Sequence, residues 1–130
     1  LDGNVVRDLE LLSSDEGSEH GSLLWVLRHT QTLYGYRRLR DWLLHPLTDA
    51  DAINERLDAV AELAAHPPPG VEELVLCMGQ GPDLERSLAR LHAGRVRPAE
   101  LVAMLSSFDS VLGLLRTAQT QHVAQGGAGR

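Results

Sequence analysis

Apolar positions along this chain come in short blocks, and most blocks repeat with a helical period. Tyr36, Leu39, Trp42 and Leu43 fall at i, i+3, i+6 and i+7 within Leu33–Leu44, one stripe of a 3.6-residue repeat. Arg37, Arg38, Arg40 and Asp41 take the opposite side, and Pro46 ends the run by driving His45 off helical angles. Ahead of it, Ser22 is placed to cap a short helix through Leu27, and Thr30–Thr32 breaks it. Behind it, Thr48 or Asp49 caps a helix in which Ile53, Leu57, Val60 and Ala64 form a stripe expected to be buried.

The rest of the chain is punctuated as firmly. His66-Pro67-Pro68-Pro69-Gly70 is a break, and Val71, Leu74, Val75 and Met78 mark a short helix stopped by Gly79, Gly81 and Pro82. Asp83 caps the next, lined by Leu84, Leu88 and Leu91 and closed at Gly94. Pro98 opens the last helix, whose predicted core face is Leu101, Leu105, Phe108, Leu112 and Leu115. After Arg116 the chain turns polar and ends in GGAGR, read as a frayed end or a linker. Leu1–Leu12 alternates loosely and predicts a short strand or an irregular edge; Ser13–Gly21 predicts an exposed loop. The expected fold class is therefore all-α, a multi-helix bundle with one short N-terminal strand. Its parts are a lead-in over 1–21, a helical domain over 22–116 and an end segment over 117–130.

Composition agrees. Of 130 residues 43% are apolar and only 4% aromatic, so a core of Leu, Val and Ala suits helix-on-helix packing. The net charge of -6 argues against a whole-surface nucleic-acid binder. Every basic residue is Arg, and none of the residues 22–40 is a carboxylate although Arg28, Arg37, Arg38 and Arg40 lie there. Pairing of these arginines within the protein or across a domain boundary is the expectation. Cys77 is the sole cysteine, which forbids an internal disulfide and points to a reducing compartment. No apolar run approaches the roughly 20 residues of a membrane span, so no membrane partner is expected. The first residue is not Met, and the chain is expected to be a segment of something longer.

Reactive chemistry is hard to place. A P-loop needs a Lys, and the chain has none; Gly79-Gln80-Gly81 reads as a helix stop and restart. Glu16 and His20 stand four apart, but in a loop, where helical spacing places nothing. His29 and His45 are expected to be partly buried hydrogen-bonding groups, and Cys77 a small core residue. Asp49/Asp51 and Glu72/Glu73 sit where helix dipoles favour acids. No catalytic, cofactor-binding or metal-binding residue is predicted.

The ordered motifs resemble the MutS mismatch-repair family, in the first part of its core or lever domain. The run Leu23-Leu24-Trp25-Val26-Leu27-Arg28-His29-Thr30-Gln31-Thr32, with Gly35, Arg37, Leu39, Trp42-Leu43 and Pro46-Leu47, is similar to LLWVLDHTKT-x-x-G-x-R-x-L-x-x-WL-x-x-PL. Ile53–Val60 resembles INARLDAV, Pro82–Arg86 resembles PDLER, and Gly94–Leu101 resembles GR-x-x-P-x-x-L. Asn4–Leu11 is similar to the T-x-R-N-L-E-L lead-in. Two positions depart: Arg28 stands where the family usually has Asp, and Gln31 where it has Lys. The acidic Ser/Gly loop, the HT-x-T-x-YG run and the later HPL look most like the plant and algal form of the third eukaryotic branch.

By that resemblance the parent protein is a nuclear DNA-dependent ATPase that uses ATP and Mg. It binds mismatched or looped duplex DNA through other domains and pairs with the second eukaryotic homologue. The present segment would be a mechanical strut between DNA clamp and ATPase. Leu39, Trp42 and Leu43 would anchor one helix, and Ile53, Leu57 and Val60 the next, with Arg37, Arg38 and Arg40 facing a neighbouring domain. A buried Trp42 would make Trp42→Ala cost about 3–5 kcal/mol. The rival readings are a direct DNA-binding module using the Arg cluster and a free-standing helical adaptor that docks a partner helix.

Overall fold

The structure is a computed structural model that describes residues 1–126, with side chains through Thr120. Seven helices and no strand are found among the described residues: α1 (Gly3–Asp8), α2 (Leu23–Leu27), α3 (Leu33–Leu44), α4 (Ala50–Ala65), α5 (Val71–Gln80), α6 (Leu84–His92) and α7 (Pro98–Gly126). The chain is all-α, as its periodicity predicts. It divides into two compact units, Leu1–Asn54 and Glu55–Arg130.

The lead-in corrects the sequence expectation. Leu1–Leu12 holds no strand; Gly3–Asp8 is helical, with Asp2 in extended geometry ahead of it. Val5 and Leu9 stand four apart, which serves a helical turn as well as a loose alternation does. Glu10 then takes a left-handed φ of 46° and turns the chain so that Leu11 is buried. The backbone carbonyls of Glu10 and Leu11 accept the Leu23 and Leu24 N–H groups at 3.0 and 2.9 Å. Two donors at the start of α2 that lack helical partners are satisfied this way.

Three caps fall where residue types predicted them, at Ser22, Asp49 and Asp83, and a fourth falls at Thr32, expected only as part of a break. Ser22 Oγ accepts the Trp25 N–H at the start of α2, and Thr32 Oγ1 accepts the Gly35 N–H at the start of α3. Asp49 Oδ1 accepts the Asp51 N–H at the start of α4, and Asp83 Oδ1 accepts the Arg86 N–H at the start of α6. At the end of α6, Gly94 adopts φ 65°, and its neighbour Arg95 donates its N–H to the Arg90 carbonyl at 2.8 Å. Only a residue without a Cβ reaches that conformation cheaply.

Burial corrects several anchors. In the first unit the packed centre is Leu11, Leu24 and Ser22, with α2 against α3. Leu39 and Leu43 are half-buried, and Trp42 is 38% exposed, so the cost of a buried tryptophan does not apply in full. Ile53, Leu57 and Val60 do not anchor α4 inside this chain: they are exposed, Leu57 by 58%. Periodicity finds an apolar stripe; it does not say that these 130 residues supply what covers it.

In the second unit α5 and α6 both pack on α7. The packed side of α7 is Met104, Ser107, Phe108, Val111, Leu114 and Ala118, with Met104 fully buried. Leu105, Leu112 and Leu115 of the predicted core face lie exposed beside it. The apolar arc of α7 is wider than one neighbour can cover, and the packed part is set by where helices approach closely. One such approach is Gly81 on Ser107, where a Cβ on Gly81 would stand 2.8 Å from Ser107 Oγ. On α6 the buried residue is Ser87, while Leu88 and Leu91 are largely exposed. The helix also runs past Arg116 to Gly126, beyond the polar turn in sequence; the remainder of GGAGR lies outside the described residues.

Over Pro98–Thr120, α7 is long and apolar enough to cross a membrane by length and composition, an 18-residue window within it averaging a hydropathy of 1.4. The segment passes on that window's average alone: Glu100, Asp109 and Arg116 interrupt it, so no unbroken apolar run of spanning length lies in α7.

Candidate functional site

Polar groups concentrate at the corner between α2 and α3. Helix α2 has only five residues and ends at Arg28, whose backbone leaves helical angles (φ -74°, ψ 84°). Helix α3 restarts at Leu33 behind its Thr32 cap. The intervening residues are too few and too irregular to fix a direction by themselves.

Glu19, in the loop before α2, spans that corner. Its Oε1 accepts from Arg28 Nη1 at 2.8 Å, and its Oε2 accepts from the Tyr36 hydroxyl at 2.7 Å. The Arg28 guanidinium also lies over the Tyr36 ring, 4.8 Å from its centroid. The Tyr36 hydrogen bond, and then Arg28, hold the Glu19 carboxyl below the ordinary carboxylate range. The Tyr36 phenol is raised, first by its bond to Glu19 and then by burial. The main chain of Glu19 is fixed as well: fully buried Ser22 donates to its carbonyl from both Oγ (2.7 Å) and N (3.1 Å). Next to it, the His20 ring lies against Trp25, the centroids 4.3 Å apart and the planes tilted by 48°.

The arginines are partly absorbed in this way. Arg28 pairs with Glu19, while Arg38 reaches Asp41 at 3.4 Å and lies 5.7 Å above the Trp42 ring. Tyr36 and Trp42 therefore act as cation partners as well as apolar bodies. His45 is well exposed, not partly buried, and its Nδ1 meets Asp41 Oδ1 at 3.0 Å. The residue that sequence reasoning missed is Glu19. The one signal pointing to it was Arg28 itself, a cation in a stretch without carboxylates, which needs an anion from elsewhere.

A second polar staple joins α6 to α7. Glu100 Oε1 accepts from Arg90 Nη1 at 2.8 Å and from buried Ser87 Oγ at 3.3 Å. Among the described residues Cys77, the one thiol, has no base beside it. Cys77 is half-buried beside a shallow notch lined by Gln80, Pro82, Ala103, Ser106 and Ser110, none of which is a base. Among the described residues no three His, Cys, Asp or Glu converge as metal ligands. With no Lys in the sequence, the donor set does not fit a nucleotide phosphate cradle. What the corner and the staple can do is hold helices in fixed directions.

Comparison with known proteins gives these parts a lineage. The family description MutS domain III matches residues 4–128. DNA mismatch repair protein MSH3 of Mycosarcoma maydis is 40% identical over 112 residues, covering 85% of this chain and 10% of that protein. DNA mismatch repair protein MutS of Chlorobium limicola is 46% identical over 118 residues, covering 89% of this chain and 13% of that protein. The MutS of a Synechococcus strain is 44% identical over 112 residues, 85% of this chain and 13% of its own length. The chain thus spans about a tenth of the length of these relatives.

Proposed function

The chain belongs to the MutS family of DNA mismatch-repair proteins, as its domain III, and from that premise we propose that it is the strut through which a DNA clamp and an ATPase sense one another. The observation that carries this reading is α7, a continuous helix of 29 residues, about 44 Å long at 1.5 Å per residue. A helix of that length, held at its first turn by the Glu100 staple and along one side by α5, moves as a rod. Coupling between distant parts of a protein needs such an element with discrete orientations.

In this reading the parent protein binds mismatched or looped DNA and hydrolyses ATP with Mg through parts outside these residues. It works in the nucleus with a second homologue as its heterodimer partner. The present residues contribute no phosphate ligand; they transmit. Direct DNA binding by the Arg cluster is disfavoured because Arg28 and Arg38 already face carboxylates.

The test is Gly113→Pro in the full-length protein, which breaks α7 near its middle. Mismatch binding and basal ATP hydrolysis should each survive, and the release of mismatched DNA on ATP addition should slow at least tenfold. Unchanged ATP-driven release would sink the strut reading. Exposed Leu105, Leu112 and Leu115 favour a second reading, a helical adaptor. Thiol labelling of Leu105→Cys separates the two. Protection within the full-length protein alone supports the strut, and protection only after a partner is added supports the adaptor.

A further inference from the structure

Arg28 ends α2 in a stretch, residues 22–40, that holds no carboxylate, yet its charge is met and the corner is closed. We propose that the loop Ser13–Gly21 is a strap across the α2–α3 corner, buckled at Glu19, and that Glu19, Arg28 and Tyr36 are a matched set that sets the direction in which α3 leaves α2.

Each part of the strap is positioned before the buckle closes. The loop is ordered from within: Ser14 donates its N–H to the Ser18 carbonyl at 2.7 Å, and Gly17 donates to the Ser14 carbonyl at 2.8 Å. Its start is tied back where Asp15 N–H meets Glu10 Oε1 at 2.9 Å. Its end is pinned by buried Ser22, which holds the Glu19 carbonyl while capping α2 with the same hydroxyl. Glu19 therefore reaches the corner with its main chain already fixed, so little freedom is lost when its side chain engages.

The two carboxylate oxygens then take partners on opposite sides of the break. Oε1 holds Arg28, the last point of α2, and Oε2 holds Tyr36, in the first turn of α3. A carboxylate offers two separate oxygens, so each side of the break has its own acceptor. The guanidinium over the Tyr36 ring closes the third edge of the triangle. An Asp at position 28 would put two carboxylates together at the buckle and leave the Tyr36 ring without its cation.

The test is peptide-resolved amide hydrogen exchange on the full-length protein, with Val71–Gln80 as an internal control for intact folding. Glu19→Gln keeps one acceptor and loses the charge, and should speed exchange across residues 28–36 roughly two- to tenfold. Arg28→Asp, which puts two carboxylates together, should do at least as much. The charge-reversed pair Glu19→Arg with Arg28→Glu should recover most of the lost protection that either single reversal removes, while Tyr36→Phe gives a loss that the reversed pair does not rescue. Exchange at 28–36 unchanged by Glu19→Gln would overturn the strap. So would a reversed pair as unprotected as the two single reversals combined. Because ATP-driven DNA release is not the readout, the strap can fail while the strut stands, and the reverse.

Discussion

Gly35 and Thr32 are locked together at the start of α3: the Gly35 N–H donates to Thr32 Oγ1 at 3.0 Å, and a Cβ on Gly35 would stand 2.8 Å from that same oxygen. The glycine is required by its neighbour's cap. A hydroxyl free to rotate would give way to a methyl group, but this one is held in place as an acceptor. Gly35→Ala is therefore expected to undo the cap and cost about 0.5–2 kcal/mol of local stability. Thr32→Ala should cost about the same, and the double variant little more than either. Hydrogen exchange at the first turn of α3 measures this; additive losses would refute the shared origin.

Ser22 is the most completely buried polar side chain described, and its hydroxyl both donates to the Glu19 carbonyl and accepts the Trp25 N–H. Ser22→Ala removes a cap and leaves the part-buried Trp25 N–H without its partner, at a cost of about 0.5–2 kcal/mol. The loss should show as faster exchange in Leu23–Leu27 and as a change in Trp25 fluorescence. Ser22→Thr, which keeps the oxygen, should retain more protection than Ser22→Ala.

The Glu19–Tyr36 bond gives the corner two pH limits. Glu19 titrates lower when folded than when unfolded, so its contribution is present above the ordinary carboxylate value and is lost as pH falls through the lowered one. Tyr36 titrates higher when folded, so its contribution is present below the ordinary phenol value and is lost as pH rises through the raised one. Carboxyl carbon shifts of labelled Glu19 should follow the acid limb, and phenolate absorbance the alkaline limb. Tyr36→Phe should move the Glu19 titration back up toward the ordinary range. A Glu19 titration that ignores Tyr36→Phe would contradict the geometry.

Met104 and Leu112 lie eight residues apart on α7 and differ in burial, at 2% and 49% exposed. In the 130-residue chain, Met104→Ala should cost about 2–5 kcal/mol in urea unfolding, and Leu112→Ala less than about 1 kcal/mol. In the full-length protein the cost of Leu112→Ala should rise if the rest of the polypeptide covers that side. Equal costs in the short chain would mean that the packed side of α7 is wrongly placed.

Much of the local structure was written in single residues and their near neighbours. Ser22, Asp49 and Asp83 announce helix starts because a short side-chain oxygen answers N–H groups two or three residues on. Pro46, the Pro67–Pro69 run and Gly94 announce ends because their backbones cannot continue a helix. Motif order was legible in the same way, and it led to the family that residues 4–128 match. The lead-in was misread since Val5 and Leu9 suit either period, and the turn at Glu10 that buries Leu11 has no local signature.

Tertiary structure alone decided which apolar sides are used and which anion meets which cation. The stripes on α4 and α7 were correctly seen as apolar, yet Leu57 and Leu112 face outward while Met104 and Ser107 pack, because coverage depends on what other chain arrives there. The buckle at Glu19 joins residues nine and seventeen positions apart across a loop and a helix break. No repeat period spans such a gap, and only the folded path brings that carboxylate to Arg28 and Tyr36.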